Sequence, residues 1–243
     1  MSENVRATER NHVKPPPPDP TPSAPKIVLR GEGTEILRIF NPTEHSNTEL
    51  SFRPFGPILR FDHHRAPLDN AAIDEERAIW YGAPLEQPKG MVTALEICMW
   101  ECFAAERRVM PNRALGRVRV AAGQTLALLS LVDADAVSAG TITQLAAAAN
   151  PHDSQEWSRF FYDKPDIYTR IDGLLYRSAW IDGFSIALYE RGRPKLESHP
   201  DPGSLPLEHP SLRGPIAEIA YRNGWTLARA RIAESAEDPR SNL

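Results

Sequence analysis

Cysteine is scarce in this 243-residue chain, which has only Cys98 and Cys102. Four apart in a helical pattern, they have poor geometry for a mutual disulfide. So few cysteines suggest a reducing compartment. They read as small core residues, and a structural zinc site would need histidines to complete it. Long hydrophobic runs are missing as well. The longest apolar stretch, VRVAAGQTLALLSLV, is broken by Arg119 and Gln124, so no transmembrane helix is expected. No apolar segment follows the first residues, no signal peptide is legible, and the cytoplasm is the expected location. Positive charge is not in surplus: 28 Lys and Arg face 32 Asp and Glu. A nucleic-acid binder usually carries a basic stripe, so direct nucleic-acid binding is not expected.

Several signature motifs are also missing. There is no G-x-G-x-x-G, no G-x-x-x-x-G-K-[ST], no H-E-x-x-H and no G-x-S-x-G. Dinucleotide-fingerprint, P-loop, zincin and serine-hydrolase readings therefore lack support. FDHH places Asp62, His63 and His64 side by side. Neighbours on a strand point to opposite faces, so no metal site is expected there.

Proline is abundant by contrast. Seven of the 23 prolines lie between Pro15 and Pro25, a composition that favours polyproline II and buries no core. Residues 1–30 are expected to be a disordered Pro-rich segment and residues 31–243 a single domain. TEILRIF, PILRFDHH and AIWYGA read as strands. GMVTALEICMWECFAAERR reads as a helix stopped by Pro111. GRVRVAAG and TLALLSL are strands, DADAVSAGTITQLAAAAN an Ala-rich helix, and SQEWSRFFYD a helix capped by Ser154. DGLLYRSAW and FSIALYE form a hairpin. Residues 199–215 read as loop, PIAEIAYRNG as a helix and WTLARARI as a strand. Helices and strands intermingle without a βαβ rhythm, which argues for an α+β fold: a mixed sheet with flanking helices.

The informative positions are polar residues where the pattern asks for apolar ones. Glu96 has Val92, Thr93, Met99 and Trp100 as its helical neighbours, so its carboxylate sits on a mostly apolar face, where an unpaired charge is costly. Glu101, about 140° further round the helix, has less claim because charged Glu106 follows. Arg38 and Arg60 share their faces with bulky apolar residues; a guanidinium so placed needs a carboxylate or a phosphate. Tyr81 ends a strand, and Ser178 shares a face with Leu174, Tyr176 and Trp180. Taken singly, each is also explained as a structural ion pair or core filler.

In order, ILRIF with Arg38, LRFDHHR with Arg60, IWYGA with Tyr81, TALEIC with Glu96 and DGLLYRSAW with Ser178 resemble the segments of the RES domain, over roughly residues 35–190. The match departs from the commoner form before Arg60, where Gly56 is followed by Pro57. The resemblance implies a fold similar to ADP-ribosyltransferases and a cleft for NAD as substrate rather than cofactor. It further implies a toxin of a toxin–antitoxin pair that cleaves the nicotinamide–ribose bond by hydrolysis or phosphorolysis. An Xre-type helix-turn-helix antitoxin is the implied partner. Glu96 and Ser178 would be catalytic, and Arg38, Arg60 and Tyr81 would bind NAD. Protein ADP-ribosylation and a non-catalytic interaction module are the alternatives.

Overall fold

A computed structural model describes residue 16 and residues 24–43, 47–148 and 150–228. The Pro-rich segment before residue 24 lies mostly outside the described residues. Its end, however, is structured: β1 (Ile27–Gly31) pairs antiparallel with β5 (Thr125–Ser130). Residues 27–30 therefore belong to the sheet and not to the tail.

The other strands are β2 (Glu35–Phe40), β3 (Ile79–Pro84), β4 (Ala114–Val120), β6 (Gly173–Arg177), β7 (Phe184–Tyr189), β8 (Leu196–Ser198) and β9 (Ser204–Pro206). They form one nine-stranded sheet in the order β1-β5-β6-β7-β3-β2-β4-β8, with β9 also on β4. β5–β6 is parallel and the remaining pairs are antiparallel. With its flanking helices this is the α+β architecture expected.

β3 is where the sheet divides. Ile79–Gly82 pair with β7, whereas only Ala83 and Pro84 pair with β2. Gly82 permits this: a Cβ there would lie 2.6 Å from the Leu37 carbonyl oxygen and from the Trp80 ring. Alternation along β3 sends Trp80 into a core with Ile36, Val118, Leu128 and Leu188. Ile79 and Ala83 face the opposite side. There the core is split into two clusters: Ile79 packs with Phe161, Leu174 and Tyr189, and Ala83 with Leu37, Ile39 and Ile97.

Each cluster has its helix. Ala83's half is covered by α1 (Ala94–Phe103) and α3 (Pro210–Arg222), Ile79's half by α2 (Pro151–Asp163). α1 is shorter than the pattern suggests. Thr93 caps it by accepting the Glu96 amide (3.2 Å), and Arg107 already has a left-handed φ of 48°. The Ala-rich helix is reduced to Ala134–Ser138 and a single turn at Leu145–Ala147, broken where Gly140 takes φ 87°. Asn150, not Ser154, caps α2, because Pro151 occupies its first position. α3 likewise begins at Pro210, inside the segment expected to be loop. WTLARARI pairs only through Thr226–Leu227, with Arg108–Val109, and its residues from 229 lie outside the described ones.

PILRFDHH is not a strand. Buried Asp62 accepts the backbone amides of Ile58 (2.6 Å) and Leu59 (3.0 Å), and its own amide donates to the Leu59 carbonyl (3.1 Å). These bonds curl the chain into a turn and use the amides a strand would need.

Candidate functional site

A cavity of about 300 Å³ opens where the two halves of the sheet diverge. β2 and β3 supply Arg38, Tyr81 and Gly82; α1 supplies Ile97, Cys98, Glu101 and Cys102. The Asp62 turn adds Leu59 and Arg60, and the β6–β7 hairpin adds Tyr176, Trp180 and Ser185. A partly apolar concavity with a few convergent polar groups is the usual form of a small-molecule site.

Its acidic group is Glu101. The Ser178 hydroxyl donates to Glu101 Oε1 at 2.7 Å and the Ser185 hydroxyl at 3.4 Å. Water reaches Glu101 through the cavity, yet the surrounding protein desolvates it and raises its pKa. The two serine hydrogen bonds and the Arg60 charge partly offset that rise. Cys98 and Cys102 are free thiols. Burial raises the pKa of Cys98; Cys102 is exposed to the cavity, yet the protein around its thiol desolvates it and pushes its pKa up to about 12.

Arg38 is buried and its guanidinium lies over the Trp80 ring, 5.1 Å from the centroid. It donates to the Ser51 carbonyl (2.7 Å), while its Nε finds no acceptor. Among the described residues it has no ion-pair partner, and burial lowers its pKa to about 10. Arg60 donates to the Ala148 carbonyl (2.7 Å) and has no ion-pair partner among the described residues either. Arg53, also on the cavity wall, is matched: its Nη2 reaches both Asp62 oxygens at 2.8 Å. The Tyr81 hydroxyl donates to Asp62 Oδ1 (2.8 Å) and accepts the Phe61 amide (3.1 Å). Asp62 thus ties Arg53, Tyr81 and the turn carrying Arg60 into one unit.

Of the residues expected from sequence, Arg38, Arg60 and Tyr81 line the cavity, and Ser178 bonds to the carboxylate within it. Glu96 does not line it. Its oxygens accept from Arg222 Nη2 (2.6 Å) and Asn223 Nδ2 (3.1 Å), which join α1 to the end of α3. Glu96, expected to be catalytic, is thus placed at the junction of α1 and α3, on a face that α3 covers. Glu101, Arg53, Tyr176, Trp180 and Ser185 were missed. The argument against Glu101 rested on Glu106, which lies beyond the helix end at Phe103. Ile97 and Cys98, one turn before Glu101, are the sequence signal that its face is partly apolar, as a cavity wall is. His63 and His64 are wholly buried. Among the described residues no cluster of three or more His, Cys, Asp or Glu side chains is placed to hold a metal ion.

An α+β fold split at one strand, with a cavity there lined by arginines and one carboxylate, defines the class of protein. More particularly, the chain belongs to the RES domain family, whose model matches residues 36–213. A structural likeness exists to a chain in the crystal structure of the M. tuberculosis MbcT-MbcA toxin-antitoxin complex, with 16% identity and a TM-score of 0.46. It covers 75% of this chain and 90% of that one. A search of curated proteins gave no match.

Proposed function

We propose that this RES domain protein cleaves the nicotinamide–ribose bond of NAD, with Glu101 as the catalytic carboxylate. The observation that carries the reading is Glu101, held by Ser178, in one cavity with Arg38 and Arg60, which have no ion-pair partner among the described residues. A dinucleotide pyrophosphate supplies the two negative charges that those guanidinium forks lack. As the C1–N bond breaks, its electron pair moves to the nicotinamide nitrogen and positive charge develops on the ribose. Ionised Glu101 stabilises that charge. Water then attacks C1 and its proton passes to Glu101 and on to solvent, leaving ADP-ribose and nicotinamide. Inorganic phosphate in place of water gives the 1-phosphate. Ser178 orients Glu101, and Tyr81 offers its ring to the nicotinamide.

The test is incubation of the purified protein with NAD, with and without phosphate. Glu101→Gln is expected to lower turnover roughly 10²–10³-fold. Intact NAD under both conditions sinks the catalytic reading, and binding without turnover indicates an interaction module. Label arriving on a protein indicates ADP-ribosyl transfer. Family membership also points to an Xre-type antitoxin as the partner that closes the cavity. Co-purification with such a protein is expected to suppress turnover.

A further inference from the structure

We propose that Trp180 is a further ring-stacking residue of the cavity, beyond Tyr81, holding one heteroaromatic ring of the dinucleotide at its mouth with Leu59 as the second apolar wall. The proposal rests on the reading of the cavity as an NAD site. Trp180 is 45% exposed and Leu59 48% exposed, and both line the cavity. Large apolar side chains left accessible inside a site are ligand contacts in waiting.

Their backbones, unlike their side chains, are pinned. The Trp180 amide donates to Ser178 Oγ (3.3 Å), the same hydroxyl that donates to Glu101. The loop around it is closed by the Ser178 amide on the Gly183 carbonyl (2.8 Å) and by Arg177, paired with Asp133 and Asp182. Leu59 is held by its amide on Asp62 and by Gln155 Nε2 on its carbonyl (2.9 Å). Among the described residues no aromatic ring packs on the indole. An accessible indole on a pinned backbone has only two side-chain torsions to give up on stacking.

The experiment measures KM and kcat for NAD in Trp180→Ala and Trp180→Phe of the full chain. It also measures thermal protection by ADP-ribose and by nicotinamide mononucleotide. Trp180→Ala is expected to raise KM roughly tenfold, with kcat changed much less, and Trp180→Phe to restore most of the loss. Protection by only one of the two fragments should fall, which identifies the stacked ring as adenine or nicotinamide. Wild-type turnover with an unchanged KM in folded Trp180→Ala overturns the stacking role alone. A wild type that neither binds nor turns over NAD overturns the site reading and this inference with it. If NAD binds without turnover, the shift is read in Kd instead.

Discussion

Glu101 is costly where it stands. Desolvation raises its pKa, so ionising it at neutral pH works against folding. The sign follows from linkage: a carboxyl whose folded pKa is raised favours the folded state when protonated. That contribution is lost as pH rises through the folded pKa. Glu101→Gln is therefore expected to melt at a higher temperature than wild type at pH 8, and the gap should close as the pH falls below the folded pKa. Thermal melts of both proteins across that range check it. A destabilising carboxylate at a cavity is the pattern that stability–activity trade-offs lead one to expect of the catalytic role proposed for Glu101. Arg38 has the same character, a buried cation without a carboxylate, whereas Arg53 and Asp62 satisfy each other.

At the scale of elements, α1 carries both glutamates, and the two have different work. Glu96 is 4% exposed at its side chain and ties α1 to α3, while its partner Arg222 is 55% exposed. Removing the buried partner leaves Asn223 with only the Ile219 carbonyl and Arg222 with only Glu218 at 3.8 Å, and it empties space beside α3. Glu96→Ala is expected to cost about 2–3 kcal/mol. Arg222→Ala is expected to cost less, because water can replace a half-exposed guanidinium and Asn223 remains. Urea denaturation of both variants tests the order, and the folded fraction of each should retain NAD turnover. A loss of turnover in folded Glu96→Ala would return that residue to the site. The hairpin β6–β7 and the strand β3 were legible from alternation and Asp-Gly turns. The Asp62 turn was not, because its residues alternate like a strand while a side chain takes their amides.

For the whole molecule, acid is the sensitive direction. His63 is fully buried between Tyr162 and Tyr189, with ring centroids at 4.5 and 4.4 Å. Its Nε2–H donates to Glu190 (3.0 Å), and Nδ1 has no partner for a second proton. Burial lowers its pKa to about 4. A histidine depressed in the folded state contributes stability above its unfolded pKa, near 6.5, and that contribution is lost as pH falls toward the folded value. The His63 share is about 2 kcal/mol by pH 5. His64 is shifted the same way and adds to it. Glu190 is depressed too, although it is half-buried, because His63 and Tyr162 donate to it, and its share is lost in the same acid direction. His63→Phe is expected to lose less stability than wild type between pH 7 and pH 5 in denaturant titrations, whatever its stability at pH 7. Equal slopes would assign the acid sensitivity elsewhere.

The α+β class, the family resemblance and four polar positions that gather at the cavity, Arg38, Arg60, Tyr81 and Ser178, were legible in the sequence alone. Period-2 and helical patterns are local, and a polar residue breaking such a pattern is visible in one dimension. Only the tertiary structure decided which glutamate meets them. Glu96 and Glu101 both sit beside apolar neighbours on one helix. The face of Glu96 is covered by α3, more than a hundred residues away in sequence, whereas that of Glu101 opens into the cavity where β3 changes partners. The local pattern does not separate the two, because a face packed on a distant helix and the wall of a cavity ask for the same neighbours.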